Sequence, residues 1–358
     1  MKMLQMMLAA MTIALTAVVV KSDAGDLRDV VESFTRPVNE GAMPSIDSAT
    51  TWLNSAPLAT TALRGRVVLV DFWTYTCINW LRTEPYVRAW AEKYKGQGLV
   101  VIGVHSPEFP FEKSLDNVRR AVKDMNVAYP VAVDNEHAVW RAFDNQYWPA
   151  LYLVDAQGRI RYHQFGEGEY EKSERMIQQL LAEAGAKGLD RTLVAPAARG
   201  AEAPADWSNL HSEENYLGFE RTAGFASPGG LEAGAERVYT IPRKLDLNHW
   251  ALGGDWTIQE RAIALHRPNG RIAYRFHSRD LHLVMGPPTG NSAVRFRVLI
   301  DGHAPGLAHG VDVDAEGYGT AAEQRMYQLI RQQIPIEDRV FEIEFFDVGI
   351  ELFSFTFG

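Results

Sequence analysis

The residue best suited to chemistry in this chain is Cys77, the only cysteine among 358 residues. It follows an apolar run that ends in an aromatic turn, Val67-Val68-Leu69-Val70-Asp71-Phe72-Trp73-Thr74-Tyr75-Thr76, and it precedes a segment with helical spacing. A thiol at the start of a helix faces unpaired backbone N–H groups and the positive end of the helix dipole, which favour the nucleophilic thiolate. A second cysteine three residues on would complete Cys-x-x-Cys, but that position holds Trp80. The sequence therefore predicts a nucleophilic thiol without a resolving partner.

Two neighbouring features bear on the reactivity of this thiol. Trp80 would crowd and partly bury the sulfur, which raises a thiol pKa and opposes the effect of the helix start. The run Tyr147-Trp148-Pro149-Ala150 places a proline immediately before an apolar strand. Because X-Pro peptide bonds adopt the cis form at modest cost, a cis proline is expected there.

Three other groups of polar residues are weaker candidates for a functional site. Glu108 follows Pro107 at the end of a strand, where it could accept a proton from the thiol, but a solvated loop carboxylate is the simpler expectation. His105 is expected to be a hydrogen-bonded structural histidine. The run Asp312-x-Asp314-x-x-Gly317 lacks the further acidic ligands of a calcium loop and is expected to form a turn. The sequence indicates no metal and no cofactor.

Composition and the N-terminal residues indicate the compartment and exclude one class of partner. A net charge of −9 and a pI near 5.6 argue against nucleic acid, since phosphate binding needs clustered Lys and Arg. Lys2 precedes an apolar stretch at 6–20, and Ser22-Asp23-Ala24 suits cleavage after Ala24. The stretch is shorter than the ~20 residues of a spanning helix. We therefore predict a signal peptide at 1–24 and an exported, periplasmic or otherwise envelope-located protein, with an uncleaved membrane anchor as the alternative.

The remaining chain divides into two predicted domains. Residues 25–194 carry strand patterns at 67–72, 99–104, 131–133, 150–154 and 160–165 and helical patterns at 79–94, 115–125 and 173–184. Strands that alternate with helices predict an α/β sheet covered by helices. Residues 195–206 have the composition of a linker. Residues 207–358, with alternating runs at 271–276, 281–285, 294–300 and 341–346, predict an all-β, jelly-roll-like sandwich.

Aromatic residues in the second predicted domain have two interpretations. Trp250, Trp256, Tyr274 and Phe276 could stack on a sugar, but sandwich interiors take such residues, so core packing is the stronger prediction. The first interpretation adds a glycan as a partner of this domain.

Several short runs along the chain resemble those of a known family. They are Asp71 to Asn79, Pro85-Tyr86-Val87, Gly103-Val104-His105-Ser106-Pro107-Glu108-Phe109, Tyr147-Trp148-Pro149-Ala150, Tyr216-Leu217-Gly218, Ser227-Pro228-Gly229-Gly230-Leu231 and Phe355-Thr356-Phe357-Gly358. The chain is similar to the thioredoxin-like (redoxin) family related to the C-terminal region of DipZ, whose second domain resembles a carbohydrate-binding module. The resemblance implies a thioredoxin-like fold followed by a β-sandwich, an envelope thiol–disulfide role, and a proline that abuts the nucleophilic sulfur. It also implies that Trp80 occupies the position of the family's second cysteine.

The resulting hypotheses differ in what Cys77 does. As a catalytic residue it would exchange with a polypeptide thiol or disulfide, or with a low-molecular-weight thiol that resolves it, and Trp80, Trp148 and Pro149 would form the substrate side. A one-cysteine peroxidase that passes through sulfenic acid is a second possibility. The alternative class is a non-catalytic binding protein that uses the groove or the sandwich for a partner or glycan, with Cys77 either in a lasting mixed disulfide or without a redox role.

Overall fold

The computed structural model describes residues 39–288 and 290–358. The predicted signal peptide at 1–24 lies outside the described residues. Among those that are described, no helix combines the length and the apolar character needed to cross a bilayer.

The first half of the described chain forms a mixed sheet of six strands in the order β1-β4-β3-β2-β5-β6. The strands are β1 Thr51–Leu53, β2 Val67–Trp73, β3 Leu99–His105, β4 Val131–Val133, β5 Ala150–Val154 and β6 Ile160–Phe165. The helices are α1 Ile78–Tyr94, α2 Leu115–Asp124, α3 Ala138–Ala142 and α4 Tyr170–Glu183. Strand β2 is parallel to β3 and antiparallel to β5. Every residue of β2 is buried, which confirms the prediction of a central strand from its continuous apolar run.

The second half is all-β, as predicted. Its described strands are β7 Asn215–Tyr216, β8 Glu236–Tyr239, β9 Trp250–Ile258, β10 Ile263–Leu265, β11 Gly270–Phe276, β12 Asp280–Gly286, β13 Val294–Ile300, β14 Tyr318–Ala321, β15 Arg325–Arg331, β16 Arg339–Phe345 and β17 Glu351–Phe357. These strands join into one antiparallel sheet with the main order β14-β13-β16-β11-β9-β10-β17-β12-β15.

Strand β9 links the two halves of this second sheet. Its first residues pair with β11 and its later residues pair with β8 and β10, and the change of partner falls at Gly253 and Gly254. The two halves then face each other across a shared core, in which Tyr274 of β11 lies 5.0 Å from Phe355 of β17 between ring centroids. This half of the chain is therefore a large antiparallel sheet that curves around its own core, and its all-β character agrees with the alternating sequence pattern.

The aromatic residues considered for sugar stacking belong to this core. Trp250, Trp256, Tyr274 and Phe276 are each at most 1% exposed. The core-packing prediction is therefore confirmed, and the glycan hypothesis loses the aromatic surface on which it rested. The Asp314 side chain accepts from the backbone N–H of Tyr318 at 2.7 Å, as turn chemistry predicts.

The two halves share an apolar interface. Phe353 of β17 packs against Phe109 and Phe111, with ring centroids 5.3 and 4.7 Å apart, and belongs to the same buried cluster as the first sheet. The buried Arg82 of α1 donates to Glu167 at 2.9 Å and to the carbonyl of Phe357 at 3.2 Å. Apolar packing and a buried cation hold the halves in one arrangement, which fixes the cleft between them.

The segment at 195–206, predicted as a linker from its composition, packs on both halves. Glu202 accepts from Arg88 of α1 at 3.4 Å, and the carbonyl of Gly200 accepts from Arg331 of β15 at 3.0 Å. This segment therefore contacts both halves of the chain through hydrogen bonds. The domain limits drawn from the sequence stay predictions.

Candidate thiol site

Cys77 lies at the start of α1, directly after the turn that follows β2. Its backbone is extended (φ −75°, ψ 113°), and its carbonyl accepts the first helical hydrogen bond from Leu81 at 3.0 Å. The residue is partly exposed, and its thiol is free. The sequence placed this residue correctly, because the end of an apolar strand and the beginning of an amphipathic helix are both local patterns.

The second predicted element of the site, Trp148-Pro149, lies against the sulfur. Sγ of Cys77 is 3.7 Å from the carbonyl oxygen of Trp148, and the Trp148–Pro149 peptide bond is cis. The Trp148 indole donates to the carbonyl of Ser106 at 3.0 Å and packs on Trp140 with ring centroids 4.2 Å apart. Trp148 is partly exposed and Pro149 is buried, so the exposed wall beside the thiol is the Trp148 residue.

Trp80 points into the core instead of toward the surface. The side chain is fully buried, its ring stacks on Trp73 with centroids 4.2 Å apart, and its Nε1 donates to Oδ2 of Asp71 at 3.0 Å. A buried indole N–H needs such an acceptor. The structure therefore gives Trp80 no exposed surface with which to contact a substrate, and the predicted substrate-binding role does not fit its position. Its observed role is to partner a buried carboxylate behind the thiol.

Asp71 is an acid held in an apolar strand. It is fully buried, and its second oxygen, Oδ1, has no hydrogen-bond partner among the described residues. Burial raises the pKa of the Asp71 carboxyl to about 7, and the hydrogen bond from Trp80 opposes that increase. This carboxyl group titrates close to neutral pH.

A second buried acid, Glu112, connects the turn before the thiol to the loop after β3. Its Oε1 accepts from the hydroxyl of Thr76 at 2.6 Å, and its Oε2 accepts from the backbone N–H groups of Glu108 and Phe109 at 2.6 and 2.9 Å. Burial raises the pKa of Glu112 to about 7 as well. One carboxyl thus holds the residue next to Cys77 and the backbone that carries Glu108 in fixed relation.

Glu108 is the residue that sequence reasoning misjudged. Its side chain is only 11% exposed, so the expectation of a solvated loop carboxylate is wrong. Its Oε1 accepts from the hydroxyl of Tyr216 and from Arg221 at 3.3 Å, and the Arg221 guanidinium lies 3.4 Å from the centre of the Tyr216 ring. Both partners come from the β-rich half of the chain. The first half therefore holds the thiol, and the second half covers the acid beside it.

The electrostatic environment disfavours the thiolate at rest. Burial raises the pKa of the Cys77 thiol well above its ordinary value, and the negative charges of Glu108 and Glu214 add to the increase. The backbone N–H groups of Trp80 and Asn79 act in the opposite direction, as expected at a helix start. The net direction is opposite to the lowering that the helix start alone predicts, because burial outweighs it.

His105 is structural, but not in the way the sequence suggested. It is fully buried, and neither ring nitrogen has a hydrogen-bond partner among the described residues. The ring stacks on Tyr75 with centroids 5.7 Å apart and meets the edge of Trp73. Burial lowers the pKa of His105 to about 3, so the imidazole is neutral and acts as an aromatic core residue.

This arrangement has the parts needed for thiol exchange through one sulfur. The thiol of a partly exposed residue, an adjacent backbone carbonyl and the partly exposed Trp148 lie together, and Trp148 also lines a cleft between the two halves of the chain. Within the described residues, His, Cys, Asp and Glu side chains form no group of three or more that could hold a metal ion.

Comparisons with known proteins agree with this division of the chain. Residues 38–181 match the family model described as Redoxin, and residues 212–358 match the model described as Thioredoxin like C-terminal domain. Protein DipZ of Mycobacterium bovis is 36% identical over 251 residues, which is 69% of this chain and 35% of DipZ. The match therefore spans about a third of the length of that relative.

Two shorter proteins match the first half. The thiol-disulfide oxidoreductase YkuV of Bacillus subtilis is 28% identical over 141 residues, which is 39% of this chain and 95% of YkuV. The solution structure of a thioredoxin-like protein in its oxidized form shows 28% identity, covers 42% of this chain and 97% of the other, and has a TM-score of 0.37. The chain thus combines a thioredoxin-like, redoxin-similar α/β domain with an antiparallel β domain similar to thioredoxin-like C-terminal domains.

Proposed function

We propose that this protein performs thiol–disulfide exchange through Cys77 alone. The observation that carries the proposal is the position of the sulfur, at the start of α1 and 3.7 Å from the carbonyl oxygen of Trp148, with no second thiol in the chain. The similarity to YkuV, a thiol-disulfide oxidoreductase by name, supports the reaction class. We also propose that the protein acts in the cell envelope, on the strength of the apolar segment at 6–20.

The exchange proceeds in two separate displacements. The Cys77 thiolate attacks one sulfur of a partner disulfide; a new S–S bond forms to Cys77, the old S–S bond breaks, and the second partner sulfur leaves as a thiolate that takes a proton from solvent. In an enzyme with Cys-x-x-Cys, the second cysteine would then release the bound half. Here Trp80 occupies that position, so an external low-molecular-weight thiol must attack the mixed disulfide, regenerate Cys77 and carry away the bound half as a new disulfide.

The raised pKa of Cys77 favours a second candidate, a binding protein that keeps the groove without turnover. A thiol that is mostly protonated at neutral pH reacts slowly, because the thiolate is the attacking species. The same property argues against a peroxidase, which also needs the thiolate. Exchange requires Cys77 to react in the folded protein, whereas a binding protein without a redox role does not.

The pH dependence of alkylation separates these two candidates. We expect iodoacetamide to label the folded protein only at Cys77. The labelling rate should still rise above pH ~9, because the pKa of Cys77 lies above the ordinary thiol value of ~8.5. At pH 7 the rate should lie below that of an unperturbed thiol, whose thiolate fraction there is roughly 3%. The Cys77→Ser variant is the control and should take no label. A folded protein that resists labelling up to pH ~10, but is labelled when unfolded in urea, would leave only the binding role.

A further inference from the structure

The cleft beside the thiol is built by both halves of the chain and encloses about 260 Å³. Pro107, Glu108, Phe109, His137 and Trp148 line it from the first half, and Tyr216, Gly218, Glu220, Arg221, Glu260 and Arg261 line it from the second. Trp148 links the cleft to the thiol, because its backbone carbonyl lies 3.7 Å from Sγ of Cys77. A partner that reaches the sulfur from this side passes through these residues.

Both arginines that line the cleft are already neutralised by neighbouring carboxylates. Arg221 donates to Glu108 at 3.3 Å and lies over the Tyr216 ring, while Arg261 lies 3.2 Å from Glu220 and 3.7 Å from Glu260. Each guanidinium therefore has its acidic partner within the lining itself. An arriving anion would have to displace one of these carboxylates.

The remaining charges make the region around the sulfur negative. Glu214 lies near enough to Glu108 and to the thiol to raise the pKa of Cys77, and its own pKa is raised by partial burial and by Glu108, although part of its side chain remains exposed. Burial lowers the pKa of His137, so that ring is uncharged at neutral pH and supplies no compensating cation. Burial, with a smaller contribution from Glu108, raises the pKa of Glu214 to about 8, so this carboxyl is about half ionised at pH 8. With Glu108, Glu220 and Glu260 ionised and two arginines in the lining, the region then carries a net charge between about −1 and −2.

We propose that this cleft selects partners by charge: Cys77 exchanges faster with a disulfide that carries a cationic group next to its sulfur than with an anionic disulfide. The inference rests on the proposed exchange function and names its class of substrate. A negative cleft with low-dielectric walls raises the local concentration of cations and repels anions. For charges about 8 Å apart in water, a site charge between about −1 and −2 separates a cationic from an anionic probe by roughly fivefold in rate after moderate screening.

Three small disulfides of similar length test this selectivity. Cystamine is cationic, bis(2-hydroxyethyl) disulfide is neutral and 3,3′-dithiodipropionate is anionic, and intact-mass spectrometry follows the formation of each Cys77 adduct. At pH 8 and low ionic strength we expect rates in the order cationic, neutral, anionic, with roughly a fivefold spread that shrinks toward one in 1 M salt, where the Debye length is ~3 Å. Disulfide dimers of a Lys-flanked and a Glu-flanked cysteine peptide extend the comparison to polypeptides and should follow the same order.

Variants identify the source of the selectivity. Glu214→Gln removes about half a negative charge at pH 8 and should reduce the cationic-to-anionic rate ratio to about threefold. Glu108→Gln should reduce it further, because it also frees Arg221, and it should lower the pKa of Cys77. Glu316→Gln changes the net charge of the protein at least as much, at an exposed position outside the cleft lining, and should leave the ratio unchanged.

The failures of the two proposals are distinguishable. If none of the probes forms an adduct with the folded protein, the exchange function itself is wrong. If all probes react but the anionic one is as fast as the cationic one, or if Glu316→Gln changes the ratio as much as Glu214→Gln, exchange stands and the charge selectivity is overturned.

Discussion

A Trp80→Cys variant is expected to form an intramolecular disulfide with Cys77 and to gain the internal resolution step that the natural chain lacks. Residues three apart on a helix have Cβ atoms about 5–6 Å apart, and a disulfide needs about 3.5–4.5 Å. Cys77 precedes the helix with an extended backbone, so a small adjustment at that residue can bring the two Cβ atoms within range. With a disulfide substrate as oxidant, the two thiols would each lose one hydrogen, and the substrate would leave as two thiols. We expect the variant to catalyse the reduction of a disulfide substrate by dithiothreitol on the order of tenfold faster than the natural protein does.

The matched control for this substitution is Trp80→Ala. Both variants remove a fully buried indole that stacks on Trp73 and partners Asp71, so both should lose about 3–5 kcal/mol of unfolding free energy. Only the cysteine variant can close a ring. If Trp80→Ala accelerates turnover as much as Trp80→Cys, access to the sulfur is limiting and the missing thiol is not. If the oxidised Trp80→Cys protein shows two free thiols, the proposed equivalence of position 80 to the resolving cysteine is wrong.

Replacing Asp71 by Asn is expected to remove a large part of the pH dependence of stability. The pKa of Asp71 is about 7 in the folded protein, because of burial, against about 3.9 for an unfolded aspartate. A raised carboxyl pKa means that the folded state binds more protons, so this stabilisation is fully present below about pH 4 and is lost as the pH rises through 7. Between pH 5 and 8 the natural protein should lose roughly 2.5 kcal/mol more unfolding free energy than Asp71→Asn.

Urea unfolding of both proteins at pH 5 and pH 8 measures this difference. An asparagine oxygen can still accept from the Trp80 indole, so the variant keeps the observed hydrogen bond without the buried charge. Glu112 has a similarly raised pKa and remains in both proteins, so the variant should retain part of the slope. Parallel pH profiles for the two proteins would show that Asp71 is already ionised at pH 5 in the folded state.

Local patterns were sufficient to predict the position of the thiol. The apolar run of β2, the amphipathic spacing of α1 and the proline before β5 each depend on residues close together in the chain, and all three agree with the structure. The helix α3 was missed because its five residues are too few to show a period. Strands β15 and β17 were missed as separate elements, since their nearly continuous burial leaves little alternation to detect.

The environment of the thiol depends on distant residues and was not predictable in this way. Glu108 is covered by Tyr216 and Arg221, which lie 108 and 113 residues further along the chain. A sequence pattern that describes one loop as polar cannot show that another domain closes over it. The contact between Trp80 and Asp71 was easier to predict from the sequence. An aspartate in an apolar strand and a tryptophan on the buried face of the next helix both require a polar partner.

The central claim is that Cys77 is a reactive thiol without an internal resolving partner, and the intact mass of the folded protein tests it most directly. After exposure of the reduced protein to bis(2-hydroxyethyl) disulfide and removal of the excess, the account predicts one mercaptoethanol adduct on Cys77. That adduct should persist on standing, disappear when an external thiol is added, and be absent in Cys77→Ser. A folded protein that keeps its unmodified mass, while the urea-unfolded protein takes up the adduct, would contradict the account.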